Sequence, residues 1–226
     1  MLLLVVDTSG KQGFVALVRA EDDSEDDVQL IESTPLAGGT FSAQLVPQIA
    51  GLLGKHGFAK SSIDAFIVVS GPGSFTGLRV GLAAIKALAE ILHKPIVPVS
   101  LLEVVALAAG SPGKVLSAID AGRGEVYVGE YEVRGNDSQR VIEQILSRNE
   151  FGAWARGANV ATPDPALVQI ANEASAAGVS ITTPDARMIA RLGRRKLRAG
   201  ETVAPDQLEA NYIRRSDAEI FAKPSL

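Results

Sequence analysis

The sequence predicts an α/β protein of two lobes, and three observations predict it. Apolar runs of strand length alternate with amphipathic runs of helix length through the first half. A pattern of apolar strand, aspartate, small-residue turn and returning strand occurs twice, at Val5-Val6-Asp7-Thr8-Ser9-Gly10 and at Ala118-Ile119-Asp120-Ala121-Gly122. Between the copies, Ser111-Pro112-Gly113 breaks the chain and separates lobes of residues 1–110 and 111–226. Each lobe is expected to hold a mixed sheet flanked by helices.

The elements follow in order. Leu2 to Val6 is an apolar strand, Phe14 to Val18 returns from it, and Val28 to Glu32 is a third strand. The run Glu21-Asp22-Asp23-Ser24-Glu25-Asp26-Asp27 between them reads as a solvated hairpin loop, because packed like charges repel. A cation site is the other reading of the same acids. Ser42 to Gly54 is a helix with Leu45, Val46, Ile49, Leu52 and Leu53 on one face. Pro47 sits early in it, where a missing N–H does least damage.

Ile63 to Ser70 is continuously apolar and β-branched, as in a buried parallel strand. A Gly-rich turn leads from it into a helix over Thr76 to His93. Ile96 to Val99 is a strand and Leu101 to Ala109 a short helix. Val115 to Ile119 and Glu125 to Tyr131 form the second hairpin, around Ala121-Gly122-Arg123-Gly124. Residues 135–165 carry no clear period. Pro165 to Ala177 and Asp185 to Ala199 read as helices, and the segment 205–226 is a tail expected to pack back on the first lobe.

Composition excludes several classes. Hydrophobic residues make up 46% of the 226, enough for a sizeable core, and cysteine is absent. Disulfides, thiol catalysis and Cys-rich zinc sites are therefore excluded. Met1 to Val6 is too short for a signal segment, and no apolar window reaches the ~18 residues of a membrane span. A cytoplasmic, membrane-free protein is expected. The net charge of −4 predicts no global attraction to nucleic acid.

The sharpest motif is Ser70-Gly71-Pro72-Gly73-Ser74-Phe75-Thr76-Gly77-Leu78-Arg79, which joins a buried strand to a helix. Glycines let backbone approach a ligand, and a helix start offers N–H groups to an anion. The other reading is a tight turn with Ser74 as N-cap. The motif is neither a Walker A loop nor the dinucleotide fingerprint. A helix N-terminus favours an anion by about 0.3–1 kcal/mol, up to ~2 when partly buried. No lysine accompanies this one, so it does not bind a triphosphate tightly by itself.

Gly77, Gly81, Ala84 and Ala87 form a stripe of small residues at helical spacing, with Leu78, Leu82 and Ile85 beside it. Such a stripe serves close internal packing or a partner helix. His56 and His93 both fall near helix C-termini, 37 residues apart, unlike a metal pair. Asp7 and Asp120 end the echoed strands. Each reads either as a turn former or as a holder of magnesium-bound phosphate. Arg187, Arg191, Arg194, Arg195, Lys196 and Arg198 form a basic cluster, either a solvated helix end or an RNA-binding patch.

Together, Val6-Asp7-Thr8-Ser9, the glycine motif, Ile119-Asp120-Ala121-Gly122-Arg123-Gly124-Glu125-Val126-Tyr127, Pro98-Val99-Ser100-Leu101-Leu102-Glu103 and Tyr212-Ile213-Arg214 resemble the TsaB (YeaZ) family. The likeness covers most of residues 1–135, is patchy from 136 to 200, and returns at the tail. It implies a two-lobed actin-like ATPase (ribonuclease H-like) fold. It also implies a role in making threonylcarbamoyladenosine on tRNA. The family acts as a non-catalytic scaffold beside a metal-binding catalytic subunit, TsaD, and an ATPase, TsaE. Where related chains often read His-Ser, this one reads Phe41-Ser42, and Phe41 is no metal ligand.

The expectations are then specific. No catalytic and no metal-ligating residue is expected in this chain. Asp7, Thr8, Ser9, Asp120 and Gly122 are expected to face phosphate across a cleft. No nucleotide is expected to bind tightly; weak ATP or ADP with magnesium would belong to the complex. The expected partner face comprises Leu45, Ile49, Gly73, Ser74, Phe75, Thr76, Gly77, Leu78, Gly81, Leu82, Ala84 and Ile85. It would take TsaD in a heterodimer, or a second copy in a homodimer when the chain is alone. tRNA would be met through the complex. The alternative is a stand-alone ATP-dependent phosphotransferase of the same fold, with Asp7 or Asp120 in the cleft.

Overall fold

A computed structural model describes residues 1–21 and 27–214. Two compact units divide the described residues: 1–104 with 182–210, and 105–181 with 211–214.

The first unit is built on a five-stranded sheet of order β3-β2-β1-β4-β5. Its strands are β1 (Leu2–Asp7), β2 (Gln12–Ala20), β3 (Val28–Ala37), β4 (Ala65–Gly71) and β5 (Ile96–Ser100). The first three are antiparallel neighbours, while β4 and β5 run parallel to β1 and to each other. β1 and β4 are buried along their whole length, which explains their unbroken apolar sequence. β3 is an edge strand and tolerates Pro35 for that reason.

Helices α1 (Phe41–Lys55) and α2 (Phe75–Leu92) pack together and bury Phe41, Leu45, Ile49, Leu52, Leu53, Leu82 and Ile85 with Leu4, Val6, Phe66 and Val68. His56 and His93 are the C-caps of these two helices. His56 Nε2 lies 2.7 Å from a Glu32 carboxylate oxygen on β3.

α6 (Ala186–Arg198) also belongs to this unit and packs against β1 to β5. It starts on Asp185, whose Oδ1 accepts the backbone N–H of Arg187 and of Met188, both at 2.9 Å. Its Gly193 is required by close packing, since a Cβ there would lie 2.5 Å from Ile67 Cγ2. Leu208 joins the core formed with α1 and α2. Chain order places residues 182–204 in the second lobe, but their contacts join them to the first.

The second unit is built on a sheet of order β10-β9-β6-β7-β8. Its strands are β6 (Gly113–Gly122), β7 (Glu125–Arg134), β8 (Asp137–Ser147), β9 (Asn159–Thr162) and β10 (Ala177–Ser180). Here too three strands are antiparallel, β6 to β8, and β9 and β10 are parallel to β6 and to each other. α4 (Arg148–Ala155) opens on a capping box of Ser147 and Glu150. α5 (Pro165–Glu173) opens on Asp164 with Pro165 in its first turn. Phe151, Ala155, Leu167 and Ala171 close the core over Leu116, Ala118, Val126 and Val128.

α3 (Leu101–Ala108) holds the boundary between the units, which falls within it rather than at Ser111-Pro112-Gly113. Of the tail, residues 205–210 belong to the first unit and 211–214 to the second. Residues 215–226, and 22–26 of the acidic run, lie outside the described residues. Among the described residues, no helix is long and apolar enough to cross a membrane.

Candidate functional site

The glycine motif and the turn after β1 are one structure. Ser9 carbonyl oxygen accepts the backbone N–H of Ser74 at 2.6 Å. Thr8 Oγ1 donates to the carbonyl of Gly77 at 2.8 Å. Three glycines allow this approach. A Cβ on Gly73 would stand 2.3 Å from Ser9 oxygen, one on Gly77 2.1 Å from Thr8 oxygen, and one on Gly81 2.3 Å from Thr8 Oγ1. Phe41 lies against Gly13 and Gly77, in ring contact at 3.1 and 3.2 Å from their would-be Cβ positions. The position where related chains often carry histidine is thus a buried packing residue here.

The same packing uses up the polar groups expected to face phosphate. Asp7, Thr8 and Ser9 are all buried. Asp7 Oδ1 accepts the Ser9 N–H at 2.8 Å and the Ser9 hydroxyl at 2.6 Å. Burial drives the Asp7 carboxyl above its ordinary pKa, against the Ser9 hydroxyl and N–H, which favour the charged form. At the start of α2, the Gly77 N–H donates to Ser74 Oγ at 3.3 Å and the Ser74 N–H is already taken by Ser9. Ser74 is therefore the N-cap, Ser9 is bonded to Asp7, and Thr8 is bonded to the Gly77 carbonyl. As arranged, the Thr8 and Ser9 hydroxyls and Asp7 Oδ1 are engaged within the chain rather than turned to a phosphate.

A titration follows from the sign of the Asp7 shift. A carboxyl whose pKa is raised on folding binds its proton more tightly in the native state. Its contribution is largest below the unfolded value and is lost as pH rises through the folded value. Asp7→Asn keeps an oxygen acceptor for Ser9 without a buried charge. The variant should melt above wild type at pH 8, with the gap narrowing toward pH 4. Thermal melts across that range check it.

In the second unit, Asp120 is paired with Arg148, Nη2 to Oδ1 at 3.3 Å, and both side chains are largely solvated. The β6–β7 turn holds Gly122, Arg123 and Gly124 at positive φ of 71°, 56° and 79°. Arg214 reaches this turn from the tail: Nη2 donates to the Gly122 carbonyl at 3.5 Å and pairs with Glu125, with its guanidinium over the Tyr127 ring. Burial pushes the Tyr127 hydroxyl pKa up, partly countered by Arg214. Three residues from Arg214, Asn211 donates to Glu143, which also accepts from Tyr131. Sequence reasoning missed Arg148 and Glu143 because both lie in the stretch without a clear period. Among the described residues, no group of three or more His, Asp or Glu is placed to hold a metal ion.

The expected partner residues separate into two sets. Leu45, Ile49, Gly77, Leu78, Gly81, Leu82 and Ile85 are buried within the first unit, so they hold the helices in place and face no partner. Gly73, Phe75 and Ala84 are half-buried; Ser74 and Thr76 are exposed. The solvent side is made by other residues. On α1 these are Ser42, Ala43, Val46, Pro47, Gln48, Ala50, Gly51 and Gly54, with no charge among residues 42–54. On α2, Ala83, Ala87 and Ile91 are exposed along with Arg79 and Glu90, and Ile91 is 73% accessible.

Comparison with known proteins agrees with this fold. The family model for TsaD, tRNA N6-adenosine threonylcarbamoyltransferase, matches residues 35–189, more than half of the chain. The TsaB proteins of Haemophilus influenzae and Bacillus subtilis are 29% and 32% identical, covering 95% and 65% of this chain and 94% and 60% of their own. The YeaZ structure from Pseudomonas aeruginosa superposes with a TM-score of 0.70 at 27% identity, covering 93% of this chain and 100% of that one. The fold is accordingly the actin-like, ribonuclease H-like ATPase fold. The chain belongs to the TsaD-type threonylcarbamoyltransferase family and, within it, to the TsaB (YeaZ) proteins.

Proposed function

We propose that this chain is the non-catalytic partner subunit in making threonylcarbamoyladenosine on tRNA, and that α1 and α2 are the surface it offers. The observation that carries this reading is the uncharged, small and apolar solvent side of α1 beside the exposed Ala83, Ala87 and Ile91 of α2. Surface helices ordinarily present charge to water. Residues 42–54 of α1 present none, although α2 exposes Arg79 and Glu90; such a face suits burial against another protein, and a stable interface covers about 1,600 Å² in total.

The partner of this face is a TsaD-type catalytic subunit; a TsaE-type ATPase completes the assembly. Alone, the chain pairs its α1–α2 face with a second copy in a two-fold dimer. The reaction takes place in the cytoplasm. ATP or ADP with magnesium binds weakly, through groups the complex supplies. Support for a non-catalytic role comes from Ser9 donating to Asp7, from Thr8 donating to the Gly77 carbonyl, and from Asp120 pairing with Arg148. The phosphotransferase alternative needs one of these carboxylates free and poised.

Reconstitution is the test. tRNA, threonine, bicarbonate and ATP are supplied to the catalytic subunit, the ATPase and the enzyme that forms the threonylcarbamoyl donor. Modification should appear only when this chain is added. Equal modification without it would refute the reading.

A further inference from the structure

α6 carries six of the 22 Lys and Arg residues of the chain and no acid. The structure sorts these six. Arg194 is buried, and its guanidinium donates to the carbonyls of Glu21 and Asp27, holding the two ends of the β2–β3 connection. Lys196 lies between Glu103 at 3.2 Å and Glu201 at 3.0 Å. Arg187 and Arg191 are exposed, and neither side chain has an ion-pair partner among the described residues. Arg195 and Arg198 continue along the helix with contacts of their own.

The spacing makes these residues a stripe. Positions 187, 191 and 195 share one helix face and recur about every 6 Å at a rise of about 1.5 Å per residue. Ile189, Ala190, Leu192 and Gly193 are buried on the sheet side, so the stripe has one orientation, with Arg187 and Arg191 in water and Arg195 half-buried. A merely solvated helix would mix signs, above all in a chain whose net charge is −4. Arginine, rather than lysine, fills the exposed positions. Its planar fork matches phosphate in a bidentate way that an ammonium does not.

We propose that the Arg187–Arg191 side of α6 docks on the phosphate backbone of RNA. Resting on the function proposed above, the RNA is the tRNA being modified. Such contacts position the nucleic acid and carry no sequence information. They would orient tRNA on the assembled complex while recognition of the target adenosine stays with the catalytic subunit.

The test is binding of labelled, unmodified tRNA to the reconstituted complex, with wild-type chain or with Arg187→Gln/Arg191→Gln, from about 50 to about 200 mM salt. Loss of two phosphate contacts should weaken binding roughly tenfold at the low-salt end. The log–log salt slope should fall by roughly 1.4–1.8. Arg187→Lys/Arg191→Lys should restore most of both. Complex assembly on a sizing column should not change. Unchanged affinity and slope in a complex that still modifies tRNA would overturn the stripe alone. A variant that loses only assembly, or only binding to phosphatidylglycerol vesicles, would make it a protein or membrane surface and overturn it equally. A wild-type complex that binds tRNA no better than the catalytic subunit by itself would overturn both readings.

Discussion

Val46→Arg combined with Ala83→Arg should abolish association with the catalytic subunit and leave the fold intact. Val46 is 52% exposed on α1, and Ala83 is exposed on α2. Neither substitution touches the core, where Leu45, Ile49, Leu82 and Ile85 do the packing. At an interface each arginine would have to give up its water, at a cost of several kcal/mol per ion. Even about 2 kcal/mol each weakens pairing roughly a thousandfold. Sizing-column co-elution reads the pairing, and a melt within about 2 °C of wild type shows that the fold survives. Co-elution at wild-type concentrations would remove α1 and α2 from the interface. Gly81→Arg is no substitute, because its side chain would enter the space held by Thr8 Oγ1.

Gly77→Ala should strongly destabilise the first unit. The added carbon would stand 2.1 Å from the Thr8 carbonyl oxygen and 3.2 Å from the Phe41 ring. Backbone cannot swing aside as a side-chain tip does, so the turn after β1 and the start of α2 must separate. The Thr8 bond to Gly77 and the Ser74 bond to Ser9 go with them. Overpacking typically costs 1–3 kcal/mol, and a backbone clash belongs at the upper end. A loss of about 3 kcal/mol lowers Tm by roughly 6–12 °C in a chain of this size. Gly51→Ala on exposed α1 is the control, since nothing lies within 4 Å of its would-be Cβ. Equal melts for the two variants would contradict the packing account.

Much of the fold was legible because local pattern and tertiary burial agree. The unbroken apolar runs at β1 and β4 are buried strands, and the small-residue turns at Asp7 and Asp120 close hairpins in both units. β8 was not legible. Val141 and Ile142 are both exposed on it, so neither a two-residue nor a helical period survives in its sequence. The assignment of α6 failed for a different reason. Chain order does not say which sheet a helix covers, and the signal is Gly193 against Ile67, a contact across 126 positions of sequence (193 − 67).

The site shows the same division. Glycine in the Ser70 to Arg79 motif announced a close approach of backbone, but not to what. Ligand and protein backbone make the same demand on a Cβ, and here Thr8 and Ser9 occupy the space. Likewise, small residues on α2 announced a close neighbour. Gly77 and Gly81 meet the turn after β1, whereas Ala83 and Ala87 remain at the surface. A basic cluster is equally ambiguous until burial separates Arg194 from Arg187 and Arg191.

The rate of threonylcarbamoyl transfer to tRNA by the full complex, carrying Asp7→Asn/Asp120→Asn in this chain, tests the central claim most directly. If the chain works through its helices and not through cleft chemistry, the rate should stay within about twofold of wild type. A hundredfold loss in a complex that still assembles would place catalysis, or a nucleotide it depends on, at these two carboxylates and contradict the account.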